Sequence, residues 1–367
     1  MTDPATPGSS TPVLSICVPT YNRAGCLPAL LDSIVEDIAR LPAPWTVDTI
    51  EVVVSDNAST DNTAEVISAY RTQLPHLVYV RHAENMGADR NFLAAVEAAS
   101  GRWCWLMGSD DKVEAQALAR VLAAGEAWPD HAGFSVNVAQ YDPDLTVRMP
   151  LTVEPLDFTG DVDMAGAETI FETFGTSYGY LSAQVVRSDL WDAVCATGEP
   201  LEYLNAYVQV FVIGRMLQRV PRWGYVHQRC VGWRSGNDSF LDKGWVRRLE
   251  IDLLGYPAVA AGLFGKDSAT AHSIRDQISA RHAYGHYRWA KLRGESGASL
   301  HAAAQLLKTH LHDSPVYRRK LLPWIVLPGF AVSGIYRLYR SLLRDRVRAR
   351  RLIRQRRGES RAVGQAG

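Results

Sequence analysis

Residues 102–111 read RWCWLMGSDD, an apolar and aromatic run that stops at Gly108 and gives way at once to Ser109, Asp110 and Asp111. A short run of this kind is a strand buried on both faces. Three more lie upstream: VLSICV (13–18), IEVVV (50–54) and LVYV (77–80). Helical periodicity fills the gaps. Leu27, Leu30, Leu31, Ile34 and Ile38 share one face. Asn62 with Glu65 has the spacing of a capping pair that opens a second helix, DRNFLAAVEAA forms a third, and a fourth is expected from near Val113 to about Trp128. Four strand–helix units in succession imply an α/β fold, a doubly wound and mostly parallel sheet with right-handed crossovers. Ligands bind such sheets beyond the carboxyl ends of the strands. The polar clusters fall there: Thr20–Arg23, Asp56–Ser59, Asn85–Arg90 and Ser109–Asp111.

Each cluster has a chemical reading and a plainer one. Asp110 and Asp111 offer hard oxygen ligands for Mn²⁺ or Mg²⁺ beside a diphosphate; alternatively, Ser109 or Asp110 caps the following helix. Asp56 can accept hydrogen bonds from a base or ribose, or cap a turn. Thr20, Tyr21, Asn22 and Arg23 can stack on or bond a nucleotide, or form an ordinary loop. Arg90 can hold a phosphate oxygen, or pair with a surface acid, while Asp89 can cap its own helix. His227 is a further metal-ligand candidate beside its reading as a packed or surface histidine. Arg234 lies in GWRSGNDSF (232–240), a segment with the composition of a loop that closes over substrate or of a plain β-turn. The chain has neither a GxGxxG after its first strand nor a Walker sequence.

Together, PTYNR (19–23), VVSDNASTDNT (53–63), ENMGADRNF (84–92) and WLMGSDD (105–111) resemble the nucleotide-binding half of the inverting GT-A glycosyltransferases of family 2, and most of all its abequosyltransferase-like branch. The resemblance covers about residues 13–125 and weakens over 126–240. It implies a metal-dependent enzyme of bacterial surface-polysaccharide synthesis, with a nucleotide-sugar donor and a saccharide acceptor. Pro19, Tyr21 and Arg23 would line the base pocket, and Asp56 with Asn57 would bind the nucleoside. Asp89, Arg90, Ser109, Asp110 and Arg234 would lie along the sugar and phosphates, with Asp110 and Asp111 as the acidic metal motif. Gly108 stands where the family commonly has a further acid. A catalytic base is implied at a helix start in the acceptor half. Glu199 and Glu202 in GEPLEY are the first candidates, and Asp189 and Asp192 the next. A nucleotidyltransferase and a non-catalytic nucleotide-sugar scaffold are the rival readings.

The domain reading is a polar tail (1–12), a GT-A domain (13–240) divided into a nucleotide-binding half (13–128) and an acceptor half (129–240), a helical region (241–316), and an amphipathic, basic tail (317–367). Hydrophobic residues make up 47% of the 367 and charged residues 21%, the balance of a globular protein. The formal charge of zero conceals a tail with 14 basic and 2 acidic residues between Arg318 and Arg361. That surplus follows an apolar stretch, 321–336, too short for the ~20 residues of a spanning helix. The pair predicts peripheral attachment to the anionic cytoplasmic leaflet, with a lipid-linked acceptor and no nucleic acid; a helix packed on the protein with a solvated basic tail is the plainer reading. Five scattered cysteines without CxxC spacing support neither a disulfide framework nor a zinc site.

Overall fold

The computed structural model of the chain describes residues 11–150, 156, 158–238, 240 and 244–328. Strands β1 (Leu14–Thr20), β2 (Ile50–Asp56), β3 (Leu77–Arg81) and β4 (Trp103–Leu106) lie parallel in the order β3-β2-β1-β4. The first three are followed by helices α1 (Leu27–Ile38), α2 (Thr63–Ala69) and α3 (Ala88–Glu97). Leu14, Ile16, Val18, Val52 and Val54 form one core with Leu27, Leu30, Leu31 and Ile34 of α1. These are the apolar positions that the two periodicities mark.

Beyond β4 the sheet is mixed rather than mostly parallel. The chain continues through β5 (Lys112–Val113), α4 (Ala117–Ala127), β6 (Gly133–Tyr141), β7 (Arg148–Met149), β8 (Val162–Ala165), α5 (Ala167–Phe174), β9 (Gln184–Arg187), α6 (Ser188–Cys195), α7 (Val208–Arg219) and β10 (Arg222–Arg234). The order runs on as β4-β9-β6-β10-β5, with β9 antiparallel to both neighbours and β10 parallel to β6. The SAQVVRS and WGYVHQRCVGW segments become β9 and β10, as their apolar content predicts.

The expected helix at Val113 starts later. Lys112 and Val113 instead add a short strand to β10. α4 opens at Ala117, after a left-handed Gln116. Its opening N–H groups are capped from another element: the buried Asp37 carboxylate of α1 accepts from the N–H of Gln116 (2.5 Å) and of Leu118 (2.8 Å). Neither Ser109 nor Asp110 caps this helix. At α2 the expected Asn62 cap is also absent; Asp61 accepts from the N–H and hydroxyl of Thr63 instead, at 3.1 and 2.6 Å.

The chain divides into two compact units. The first holds residues up to 242 together with 253–275, and the second holds 243–252 with 276 onward. α8 (Trp245–Phe264) opens in the second unit and continues in the first. In its later part the Tyr256 hydroxyl donates to the Thr176 carbonyl at 2.9 Å, and its ring packs on Tyr207 at 3.9 Å between centroids. The remaining helices are α9 (Ala269–Ile278), α10 (Tyr284–Arg293), α11 (Gly297–Leu311) and α12 (Leu322–Val326). Among the described residues no helix is long and apolar enough to cross a membrane. Most of the predicted amphipathic tail, from 329 onward, lies outside the described residues.

Candidate active site

Strand register brings the predicted clusters to one edge. Thr20 pairs with Asp56, Asp56 with Arg81, and Cys17 with Leu106, so the chain leaving β4 emerges beside the end of β1. Asp110 stands there, partly exposed. One carboxylate oxygen, Oδ2, accepts from Asn237 Nδ2 at 2.7 Å, and the Asp110 backbone carbonyl accepts from Arg234 Nε at 2.7 Å. The Asn237 side-chain oxygen in turn accepts from the Arg23 guanidinium at 2.8 Å. Asn237 thus bridges the cation at the end of β1 to the acid at the end of β4.

Asp111 is a different kind of acid. It is 3% exposed. Its Oδ2 accepts from the Tyr180 and Ser182 hydroxyls at 2.7 and 2.5 Å, and its Oδ1 accepts from the Arg234 N–H at 3.1 Å. Burial first, and the Asp110 charge second, push its pKa up to about 7 against the pull of these three donors. Its oxygens accept from these three donors, and Asp111 ties β4, β10 and the 180–182 turn together. Ser109 is buried. A Cβ at Gly108 would stand 3.1 Å from Asp110 Oδ1 and from Ser182 Oγ, and 3.2 Å from Asp111 Oδ2. A side chain here would press on these three groups.

The other predicted residues divide between the edge and its supports. Tyr21 is 44% exposed at the edge, with Arg23 beside it, whereas Pro19 is buried within β1. Asp56 has a side chain only 1% exposed. It accepts from the Ser59 N–H (2.9 Å) and the Tyr79 hydroxyl (2.7 Å), with Arg81 Nε at 3.9 Å. It therefore braces the edge from beneath. Burial and the Asp56 carboxylate push the Tyr79 hydroxyl well above its ordinary value. Asn57 bonds the Asn85 side chain, the Gly87 carbonyl and the Met86 N–H, fastening β2 to the 85–87 loop. Asn91 does the same for α3, donating to the carbonyls of Thr20 and Ser55. Arg234 spends its guanidinium on the carbonyls of Asp110 and Pro143, so it braces the loop where a phosphate contact was expected.

Asp89 does not cap its own helix. Its carboxylate crosses to α7, accepting from the N–H of Ala206 at 2.9 Å and of Val208 at 3.2 Å. Burial raises its pKa against these two bonds. Ala206 sits at φ +79°, a left-handed backbone that costs an alanine about 1–2 kcal/mol, and Asp89 holds it there. Asp89→Ala is expected to lower stability by about 1–3 kcal/mol by orphaning these donors, with Asp89→Asn recovering part of the loss; urea unfolding reads the difference. Arg90 is exposed on the next position of α3.

Glu199 pairs with Arg215 at 2.9 Å. Arg215 lies about 10 Å along α7 from Val208, at 1.5 Å per residue, which places Glu199 away from the edge. Glu202 is exposed in the turn leading to α7. Asp189 is bound to Arg187. Arg187 pairs with Trp103 at the start of β4, so Asp189 marks the opposite edge of the sheet and is set aside as a base. Asp192 follows it in α6. His227 lies seven positions before Arg234 on β10, with Nδ1 buried and without a hydrogen-bond partner among the described residues. Among the described residues no three His, Cys, Asp or Glu side chains form a metal cluster.

The family model for glycosyl transferase family 2 matches residues 15–182. Abequosyltransferase RfbV of Salmonella typhimurium is 31% identical over 275 residues, covering 72% of this chain and 80% of that protein. The chain belongs to glycosyl transferase family 2. It is a glycosyltransferase, and the nucleotidyltransferase and scaffold readings fall away. A PGL/p-HBAD biosynthesis glycosyltransferase of Mycobacterium bovis is 34% identical over 115 residues, 31% of this chain and 42% of its own length. Among solved structures, S. aureus TarS 1-349 in complex with UDP-GlcNAc aligns at a TM-score of 0.59 and 15% identity, over 89% of this glycosyltransferase and 92% of that chain. That likeness bears out the GT-A fold.

Proposed function

We propose that this glycosyltransferase moves a sugar, with inversion, from a nucleotide-sugar donor to a hydroxyl of a lipid-linked saccharide in bacterial surface-polysaccharide synthesis, using Mn²⁺ or Mg²⁺. The observation that carries this reading is Asp110: a partly exposed carboxylate at the sheet edge, with one oxygen that bonds no described residue, flanked by Arg23 and Asn237. Mg²⁺ and similar ions are commonly held by one or two protein carboxylates plus substrate phosphates and water, so a single acid fits such an ion. Asp110 would be its protein ligand, and the ion would neutralise charge on the departing diphosphate.

The chain's own side chains supply the rest. Tyr21 presents a ring for stacking against the base. Arg23 and Arg90 present guanidinium groups toward the phosphates. Asp111 and Arg234 hold the Asp110 backbone still, so little reorganisation accompanies the build-up of charge. Glu202, exposed near the Asp89-anchored start of α7, is the proposed general base that accepts the proton of the attacking hydroxyl. Glu202→Gln is expected to slow transfer by about 10²- to 10⁴-fold with donor affinity retained. Turnover at the wild-type rate would move the base elsewhere. The anomeric configuration of the product, read by NMR, tests inversion.

The basic tail following the exposed Leu322, Val326 and Leu327 supports attachment to the cytoplasmic face of the membrane. A thermal-shift panel of UDP-, GDP-, CDP- and dTDP-sugars identifies the donor, because a ligand of the folded state raises the midpoint with its affinity.

A further inference from the structure

The second unit carries a cavity that sugar transfer at the sheet edge does not use. Tyr284, Arg319, Lys320, Pro323 and Trp324 line a space of about 320 Å³. Its back wall is braced. The Trp324 ring meets Tyr284 edge-on at 5.9 Å, and the Arg288 guanidinium lies 5.6 Å from the Trp324 ring centre. Lys291, only 7% exposed, donates to the backbone carbonyls of Trp324 and Ile325. That bond supplies a donor to carbonyls at the end of α12 that lack intrahelical partners, and it fixes the indole in the wall.

The front of the cavity is cationic. Arg319 and Lys320 are exposed, Arg318 adjoins them, and the sequence holds no acidic residue between Asp313 and Asp345. Two cations on one rim favour an anion with several acceptor oxygens. The helix that carries Pro323 and Trp324, with the residue after it, also exposes apolar side chains: Leu322, Val326 and Leu327, Val326 by 72%. An occupant therefore has an anionic head and an apolar body. The chain's own tail lacks that character, because 11 of the 14 basic residues in 318–361 lie beyond Lys320, against 2 acidic ones. It would bring like charge to the rim.

We propose that this cavity binds a phosphate ester, with Arg319 and Lys320 holding the phosphate and Trp324 with the exposed leucines and valine taking an attached apolar chain. The inference deepens the membrane-face reading above and rests on it for the lipid source of the ester. The full-length chain is floated with phosphatidylcholine vesicles containing either phosphatidic acid or oleate at matched surface charge. Glycerol 3-phosphate in a thermal-shift assay serves as the soluble arm. Wild type is expected to prefer phosphatidate to oleate by about tenfold or more, the effect of losing one charged hydrogen bond worth ~1.5 kcal/mol or more. Arg319→Ala with Lys320→Ala, both exposed positions, should abolish the preference while leaving oleate binding by the tail. Arg350→Ala with Arg351→Ala should weaken both vesicle types alike. Absence of all vesicle binding, with a variant-sensitive shift from glycerol 3-phosphate, would overturn the membrane reading and keep the phosphate site with a soluble ester. Equal binding to the two vesicle types without a thermal shift overturns the phosphate site, as does a preference or shift that survives in the Arg319–Lys320 variant.

Discussion

Asp110→Asn is expected to reduce glycosyl transfer by at least about 10²- to 10³-fold, the usual loss when one preorganised electrostatic contact to developing charge is removed. The substitution keeps the shape of the side chain and removes its charge. Stability should hardly change, because Asp110 is partly exposed and one of its oxygens bonds only the Asn237 amide. An Asn at 110 can keep that contact by presenting its own oxygen to Asn237 Nδ2. Steady-state kinetics beside urea unfolding separate the two effects. A variant that unfolds instead would assign Asp110 a structural role.

The neighbouring acid is expected to behave in the reverse way. Asp111→Ala would orphan the Tyr180 and Ser182 hydroxyls and the Arg234 N–H. Each buried donor left unmet costs about 1–3 kcal/mol, so three cost about 3–9 kcal/mol, a large part of a typical domain stability of ~5–15 kcal/mol. Asp111→Asn is expected to be far milder. Burial and the Asp110 charge already disfavour the ionised form, raising its pKa to about 7. The neutral amide escapes that penalty and still offers an oxygen to the Arg234 N–H, while the two hydroxyls rotate to accept from its NH₂. Equal destabilisation by Ala and Asn, measured by chemical unfolding, would contradict this view of Asp111 as an acceptor that the fold needs more than its charge.

The contrast between two adjacent aspartates marks the limit of what the sequence discloses. The strands β1 to β4 and the edge where they end were legible, because buried parallel strands leave continuous apolar runs and their polar exits follow directly. The difference between the two acids was not legible, because the donors that occupy Asp111 arrive from Tyr180, Ser182 and Arg234. Periodicity carries no information about such distant partners. The same limit explains α4, whose cap is Asp37 of α1, and Asp89, whose carboxylate closes on the start of α7. Asn237 had one local sign, the Gly236-Asn237 turn, yet its bridge between Arg23 and Asp110 is a long-range contact. The mixed half of the sheet was read less well, since β9 is short and inserts antiparallel between strands that are far apart in sequence.

The central claim is that Asp110 is the residue through which a divalent cation and a nucleoside diphosphate are held. Isothermal titration of the matching nucleoside diphosphate, with and without Mn²⁺, into wild type and Asp110→Asn tests it most directly. The expected result is tight, Mn²⁺-dependent binding to wild type and, in the variant, weak binding that Mn²⁺ no longer improves. Equal Mn²⁺-dependent affinity in both proteins would contradict it.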